Sequence, residues 1–371
     1  MKDKIITFIL TVFIIGIIAV LAVLGYFTYK EITQNGRIEI SFESESIFPI
    51  IKYETLNSEH VDFDDSMFDG VNGKTQETTN TVRNKYFYDQ LTNTAKTIYN
   101  KLEKNKENLK TGTYRIEFSD AFQSLLSQEN GDVELKKQYQ SAIEAFIYEN
   151  PDVFYLDVTK MYINIEKITK ITGTKYNVYI NNGSEDSYLL NLFRSKEDIE
   201  EYEKQIQSAK EEILEKVKGQ TDYQKIRTIH NYLIDTIEYE DSLTEDNIYD
   251  IYGALVNKRC VCEGYAKAFQ YLMNEIGVEN VIVIGTGTNN KNQTENHAWN
   301  YVKLNEAWYA IDVTWDDPVL GIGAILTNKS RYEYFLKGSK TMEKNHVESG
   351  KFTQDGQLFK YPELSIEDYK R

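Results

Sequence analysis

The chain has 371 residues, of which 41% are hydrophobic and 27% charged, and its net charge is −16. This length allows more than one domain with a sizeable core, and the composition is that of a globular protein. The acidic balance argues against a nucleic-acid partner and against peripheral docking on anionic lipid, because both need clustered Lys and Arg.

The first 30 residues differ from the rest, since residues 5–24 read IITFILTVFIIGIIAVLAVL and carry no charge. A helix of that length spans about 30 Å, the thickness of the hydrocarbon core of a bilayer. Lys2 and Lys4 before it favour a cytoplasmic N-terminus. A cleaved signal peptide is the alternative, although its apolar core is usually about 7–15 residues. We expect a single-pass anchor in the cell membrane over residues 1–30, with the bilayer as a partner and the remainder extracytoplasmic.

Residues 31–190 alternate between strand-like and helix-like patterns and predict a small α+β domain. The expected helices cover 84–106 and 134–149, the latter ended by Asn150 and Pro151. Strands are expected at 37–43, 113–118, 153–158, 160–167 and 175–180. The polar stretch 55–82, with several aspartates, is expected to be a solvated loop because its spacing does not match a calcium-binding loop. No functional site is evident in this domain.

Residues 191–371 predict a second domain. A long amphipathic helix over 196–218 ends at Gly219. The sequence TDYQ at 221–224 is a capping box that starts another helix, on whose apolar face His230 lies as an expected structural residue. Apolar residues after Cys262 recur at helical spacing up to Gly277, so Cys262 is expected in the first turn of a third helix.

The chain has only two cysteines, Cys260 and Cys262. One intervening residue suits disulfide geometry poorly, and no second cysteine pair exists to complete a structural zinc site. Both could be small buried hydrophobes, or one could be a nucleophile. The N–H groups and partial positive charge at a helix N-terminus favour a thiolate and an oxyanion there. This position selects Cys262, since Cys260 would lie outside the helix.

A thiolate nucleophile needs a base and an orienting partner. Of the four histidines, His60 and His346 lie in polar stretches and His230 is expected to be packed. His297 begins a strand that turns at Asn305 and Glu306 into a second strand.

A two-residue turn in this hairpin places Trp299 opposite Asp312. His297 and Asp312 are then diagonal neighbours on one face, whereas a three-residue turn would separate them. The geometry therefore permits a catalytic triad of Cys262, His297 and Asp312, in which Asp312 holds the imidazole of the base. Trp299 is a candidate wall of the substrate groove or a core residue, and Trp315 is expected in the core.

The segments VCEGYAKAF, HAWNYV and WYAIDVTWDDP resemble those of the bacterial transglutaminase-like cysteine enzymes, in the same order and at similar spacing over residues 220–320. The resemblance implies a papain-like fold, in which the cysteine-bearing helix packs on an antiparallel sheet. It also implies Cys262 as nucleophile, His297 as base and Asp312 as the orienting carboxylate. Cys260 stands where the family commonly has Gly, so it is either an inert substitution or a spare thiol that oxidises onto Cys262.

The triad implies acyl transfer through a thioester, and we expect no cofactor and no metal. An amine acceptor would make the enzyme a cross-linking transglutaminase, and water would make it a peptidase or amidase. Extracytoplasmic placement suggests protein or peptide substrates of the cell envelope, including cell-wall peptides. A non-catalytic binding or scaffold protein on the same fold is the alternative from another class.

Overall fold

The structure, a computed structural model, describes residues 38–41, 50–59, 85–170, 173–240, 247–317, 330–351, 353 and 355–371. The predicted anchor at 5–24 and most of the predicted acidic loop lie outside these residues. Among the helices that the structure describes, none combines the length and apolar character needed to cross a bilayer. The anchor therefore stays a prediction.

The described residues form both helices and strands. The α-helices, α1 to α10 in chain order, are Tyr86–Gln90, Asn93–Lys104, Lys106–Leu109, Gln123–Leu126, Gly131–Glu149, Lys196–Val217, Asp222–Thr236, Cys262–Glu275, Val313–Asp316 and Ser339–Met342. The strands, β1 to β11, are Ile38–Ser41, Ile50–Glu59, Ile116–Ser119, Tyr162–Lys170, Gly173–Asn181, Glu238–Tyr239, Arg259–Cys260, Asn280–Thr288, Thr294–Leu304, Ala307–Ile311 and His346–Glu348.

The described residues divide into two compact units. The first holds β1, β2, Glu117–Asp132 and the described part of Ile163–Ile180. Its strands form a sheet in the order β1-β2-β4-β5-β3, in which β1 pairs antiparallel with β2 and β2 with β4. Helices α1, α2 and α3 cluster in the other unit, together with the residues after Asn181. The predicted domain limits at 190 and 191 do not follow this division and stay a prediction.

One predicted strand of the N-terminal half is wrong. Residues 153–158 form no strand, apart from an isolated bridge between Leu156 and Leu189. The Asp157 side chain accepts a hydrogen bond from the backbone N–H of Thr159 at 3.2 Å and caps a short 3-10 turn. This local side-chain bond turns the chain where the apolar pattern alone suggested an extended segment.

The second unit contains an antiparallel sheet in the order β10-β9-β8-β11. The predicted hairpin between β9 and β10 is confirmed, because Ala307 pairs with Leu304 and Ile311 with Asn300. Both turn residues are left-handed, with φ of 51° at Asn305 and 62° at Glu306. Paired positive φ values of this kind are typical of a two-residue hairpin turn that matches the strand twist.

The helix that carries Cys262 is held by buried contacts. The predicted capping box of α7 is present, and α8 ends just before Gly277, whose φ is 71°. The side chain of Gln270 donates to the Tyr148 carbonyl at 2.7 Å, and that of Asn300 donates to the Ala266 carbonyl at 3.0 Å. These two bonds fix α8 against α5 on one side and against β9 on another.

Candidate active site

Cys262 is the first residue of α8. Val261 before it is extended, with φ −95° and ψ −177°, and its N–H donates to the Ile248 carbonyl at 2.9 Å. Gly264 lies two residues on, where a Cβ would meet the Cys260 sulfur at 2.9 Å and the Ile248 carbonyl at 2.8 Å. Glycine therefore permits the close packing that sets the start of the helix, whose first N–H groups lack intrahelical acceptors.

The two cysteines lie in different surroundings, as the sequence predicts. Cys262 is partly exposed, whereas Cys260 lies in β7 and is 0% exposed. Burial raises the pKa of the Cys260 thiol well above its ordinary value, with the nearby Cys262 adding to the effect. Cys260 is therefore held as a neutral thiol, and only Cys262 presents its sulfur to a reactant.

His297 lies between Cys262 and Asp312. Its Nε2 is 2.7 Å from Asp312 Oδ2, and Cys262 lies close enough to the ring to raise the pKa of the imidazole. Because Nε2 is occupied by the carboxylate, Nδ1 is the ring nitrogen left for the thiol. An Nε2–H donor to Asp312 fixes the tautomer whose Nδ1 carries a lone pair, which is the form that accepts a proton from Cys262.

The pKa of His297 reflects opposing causes. Burial disfavours the imidazolium and lowers the pKa, but the charge and hydrogen bond of Asp312, joined by those of Cys262, outweigh burial and raise it to about 10. The same interactions overcome burial at Asp312 and hold the pKa of its carboxyl well below the ordinary value. The ionised carboxylate therefore stabilises the imidazolium that forms when His297 takes the proton of Cys262.

Asp312 also caps the short helix α9, because its Oδ1 accepts from the backbone N–H of Trp315 at 3.1 Å. Strand pairing ends at Ile311, so Asp312 lies just beyond the hairpin rather than within it. The turn of α9 nevertheless keeps the carboxylate on His297, as the diagonal pairing predicts.

A second histidine, which sequence reasoning set aside, lies on the same carboxylate. His346 is on strand β11, is 5% exposed, and places its Nε2 3.1 Å from Asp312 Oδ2. It comes close because β11 pairs with β8, with His346 opposite Gly287. The pattern GTG at 285–287 is the sequence signal that a second group can approach the site here, because glycines leave one face of a strand open.

The two tryptophans near His297 differ in exposure. Trp299, for which a core position and a groove wall were both open, is 1% exposed and packs its ring against His297 and His346, so it lies in the core. Trp315, predicted in the core, is only half-buried, and its ring is stacked on His297 with centroids 5.0 Å apart. The chain turns into α9 after Asp312, so the alternation of a strand no longer applies at Trp315.

A separate buried pair lies beside this site. His230 and Asp316 are both 0% exposed, and His230 Nε2 is 3.0 Å from Asp316 Oδ2. Asp316 Oδ1 accepts from the backbone N–H of Tyr334 at 2.7 Å. The pair anchors α9 to α7, and His230 is buried as the sequence predicts.

Among the described residues, one group could hold a metal ion. The ligand atoms of His297, Asp312 and His346 lie within 4.8 Å of one another. Both imidazoles already bond to one Asp312 oxygen, at 2.7 Å and 3.1 Å, so hydrogen bonding accounts for the cluster. The expectation that the site uses no metal stays a prediction.

Comparisons with known proteins agree with this geometry. Residues 210–313 match the transglutaminase-like superfamily, a stretch that includes Cys262, His297 and Asp312 but ends before His346. The chain therefore contains a transglutaminase-like domain, built from the mixed helices and sheets described above.

Two curated relatives are the kyphoscoliosis peptidases of Mus musculus and Homo sapiens. Each is 26% identical over 159 residues, which cover 38% of this chain and 23% of the relative. The chain thus spans less than a quarter of the length of these relatives.

Two solved structures are also similar. One is described as a crystal structure of a TGase, with a TM-score of 0.29, 16% identity and coverage of 47% of this chain and 50% of that one. The other is a candidate cysteine protease from Cytophaga hutchinsonii, with a TM-score of 0.25, 15% identity and coverage of 44% and 69%. TM-scores this low carry no argument about fold or activity.

Proposed function

We propose that this chain is a membrane-anchored cysteine enzyme that attacks amide carbonyls of protein or peptide substrates and forms a thioester on Cys262. The observation that carries the proposal is the place of His297 between two groups: its Nε2 is 2.7 Å from Asp312 Oδ2, and Cys262 lies close enough to raise the pKa of its ring. Such an arrangement supplies a nucleophile, a base and an orienting carboxylate. The family match over 210–313 supports the same reading.

In the first half of the proposed reaction, the Cys262 thiol gives its proton to His297 and the sulfur bonds to the carbonyl carbon. Backbone N–H groups at the start of α8 stabilise the resulting oxyanion. His297 then gives its proton to the leaving amine nitrogen as the C–N bond breaks. The raised pKa of His297, about 10, favours the protonated form that this donation requires.

In the second half, an acceptor attacks the thioester carbon while His297 takes the acceptor's proton. The C–S bond breaks, and the thiol recovers its proton from His297. A primary amine as acceptor gives a cross-linked amide, whereas water gives a carboxylic acid. The curated relatives are named peptidases, and this favours hydrolysis. In contrast, the half-buried Trp315 ring stacked on His297 would restrict the access of water to the thioester.

The place of action is a further part of the proposal. Residues 5–24 are apolar and uncharged, and Lys2 and Lys4 precede them, which favours an anchor with the remaining chain outside the cytoplasm. The substrates would then be surface proteins or cell-wall peptides. Treating intact cells with a membrane-impermeant amine-labelling reagent tests this, and a chain that is labelled only after lysis would refute it.

The activity is tested with the full-length chain, Cys262→Ala and the matched control Cys260→Ala. Each is incubated with Gln-containing peptides and a labelled primary amine, and products are read by mass spectrometry. Amine incorporation that needs Cys262 but not Cys260 indicates a transferase, and hydrolysis with the same dependence indicates a peptidase or amidase. If all three proteins behave alike, the enzymatic proposal fails and the scaffold alternative is favoured.

A further inference from the structure

We propose that His346 is a positioning residue that holds the Asp312 carboxylate in the orientation His297 needs. This inference rests on the proposed function and adds a member to the site that lies outside the matched stretch 210–313. His346 would act through Asp312 and would not touch the substrate.

The bonding of the Asp312 carboxylate carries the inference. Its Oδ2 accepts from His297 Nε2 at 2.7 Å and from His346 Nε2 at 3.1 Å, while Oδ1 accepts from the Trp315 N–H at 3.1 Å. With His346 in place, both oxygens are held and one carries donors from two different strands. Without it, each oxygen would keep a single donor, His297 on Oδ2 and the Trp315 N–H on Oδ1, and the carboxylate would be held less firmly.

The ring of His346 is itself fixed. Its Nδ1 is 2.9 Å from Asn345 Oδ1, and Asn345 Nδ2 donates to the Tyr334 hydroxyl at 2.7 Å. Both ring nitrogens therefore face a polar partner, and the imidazole cannot turn away from Asp312 without losing its bond to the carboxylate. Engagement at both nitrogens is the arrangement by which an outer partner orients a functional side chain.

Packing leaves His346 little freedom. The ring of Trp315 lies 4.5 Å from it, that of Trp299 5.0 Å and that of Tyr334 5.3 Å, measured between centroids. The titratable groups that face it are His297 on β9, Asp312 before α9 and Tyr334 on the following segment. Of these, Asp312 is the group that hydrogen bonds directly to the His346 ring. A substitution at His346 would therefore act first on the Asp312 carboxylate.

Glycines in β8 make the approach possible. A Cβ at Gly287 would meet Trp315 Cζ2 at 2.7 Å and His297 Cδ2 at 3.3 Å. A side chain there would therefore occupy the space between the strand that carries His297 and the strand that carries His346. Because Gly287 on the strand between them has no side chain, the two histidines can converge on one Asp312 oxygen.

The test compares His346→Gln with His346→Asn in the full-length chain. A glutamine amide N–H can take the place of the imidazole Nε2 and donate to Asp312, whereas the shorter asparagine reaches only the Nδ1 position. Both are neutral amides, so they differ chiefly in reach. His230→Asn is the matched control, because His230 bonds to Asp316 at 3.0 Å in an equally buried pair. Circular dichroism checks the fold of each variant.

The main measurement is the rate at which iodoacetamide alkylates Cys262 as a function of pH, which needs no substrate. A loosened Asp312 stabilises the His297 imidazolium less, so His297 takes the Cys262 proton less readily and alkylation at acid pH slows. We expect His346→Asn to slow alkylation at pH 6 on the order of tenfold, which moves the acid limb up by about one pH unit. His346→Gln should recover most of the rate, and His230→Asn should leave the profile unchanged.

Unchanged profiles in His346→Asn, or equal losses in His346→Asn and His346→Gln, would overturn the inference. Should His346→Asn fail to fold, His346→Leu, which fills more of the volume of the ring and donates nothing, takes its place with the same expectation. Failure of the proposed function is distinguishable, because it would show as no Cys262-dependent turnover of amides in the unmodified chain. The alkylation profile would still decide the role of His346.

Discussion

Asp312→Asn is expected to disable the site while leaving its shape. The carboxylate accepts from two imidazole N–H groups on Oδ2 and from the Trp315 N–H on Oδ1. An asparagine amide has one oxygen and one NH2 group, so either orientation turns an N–H toward another N–H. The simplest relief is a change of tautomer at His297, which would then carry its hydrogen on Nδ1 and could no longer accept the Cys262 proton.

The size of the loss expected for Asp312→Asn is judged from the pKa of His297. Its rise from 6.5 to about 10 reflects Asp312 and Cys262 acting against burial, and a rise of that size corresponds to about 5 kcal/mol in favour of the imidazolium. Most of it depends on the carboxylate. We expect turnover to fall on the order of 10³–10⁴-fold, the loss that a wrong tautomer causes in a triad, which equals about 4–5.5 kcal/mol.

The assay is the pH profile of Cys262 alkylation, followed by turnover once a substrate is found. Cleavage after Arg259 and Lys267 releases the peptide CVCEGYAK, in which fragment ions separate label on Cys262 from label on Cys260. Asp316→Asn is the matched control, since Asp316 is equally buried but bonds to His230. An Asp312→Asn profile that matches the unmodified chain, or an equal loss in the control, would show that the Asp312 carboxylate does not set the reactivity of Cys262.

Other substitutions give further expectations. Gly287→Ala places a Cβ 2.7 Å from Trp315, so it should displace that ring, slow Cys262 alkylation and lower the free energy of unfolding by about 1–3 kcal/mol; unchanged alkylation and melting would contradict this. Cys260→Ala should leave alkylation of Cys262 unchanged and cost about 1 kcal/mol in stability, whereas a lost reaction would mean that Cys260 takes part. Burial raises the pKa of Glu263 to about 8, against the pull of Lys267. Stability therefore falls as pH rises from the ordinary Glu value through about 8. Lys267→Met should be neutral or stabilising at pH 5, where Glu263 is protonated, and should cost about 3–5 kcal/mol at pH 9, where it leaves a buried carboxylate unpaired. Denaturant unfolding at pH 5 and at pH 9 measures the effect of Lys267→Met on stability. An equal effect at both pH values would contradict this expectation.

Local signals in the sequence were sufficient for the main parts of the site. The helix after Cys262 has an apolar stripe and a glycine stop, and α8 runs over Cys262–Glu275 as those signals predict. The turn at Asn305 and Glu306 fixes the register of the hairpin, because a two-residue connection allows one pairing. That pairing was enough to predict that His297 and Asp312 lie together.

The remaining parts depend on contacts that no local pattern encodes. His346 is 34 residues beyond Asp312 and joins it only because β11 pairs with β8. Trp315 was misplaced because strand alternation was extended past Ile311, where the Asp312 cap starts a helical turn. Such capping bonds depend on one side chain and are invisible to a periodicity argument.

The most direct test of the account is to look for the acyl-enzyme itself. The full-length chain is mixed with a peptide that it turns over, quenched in acid within the first turnover, and digested to release the peptide that carries both cysteines. We expect the mass of the acyl group on Cys262, lost on mild hydroxylamine treatment, and none on Cys260. Turnover that continues in Cys262→Ala, or acyl transfer without modified Cys262, would contradict it.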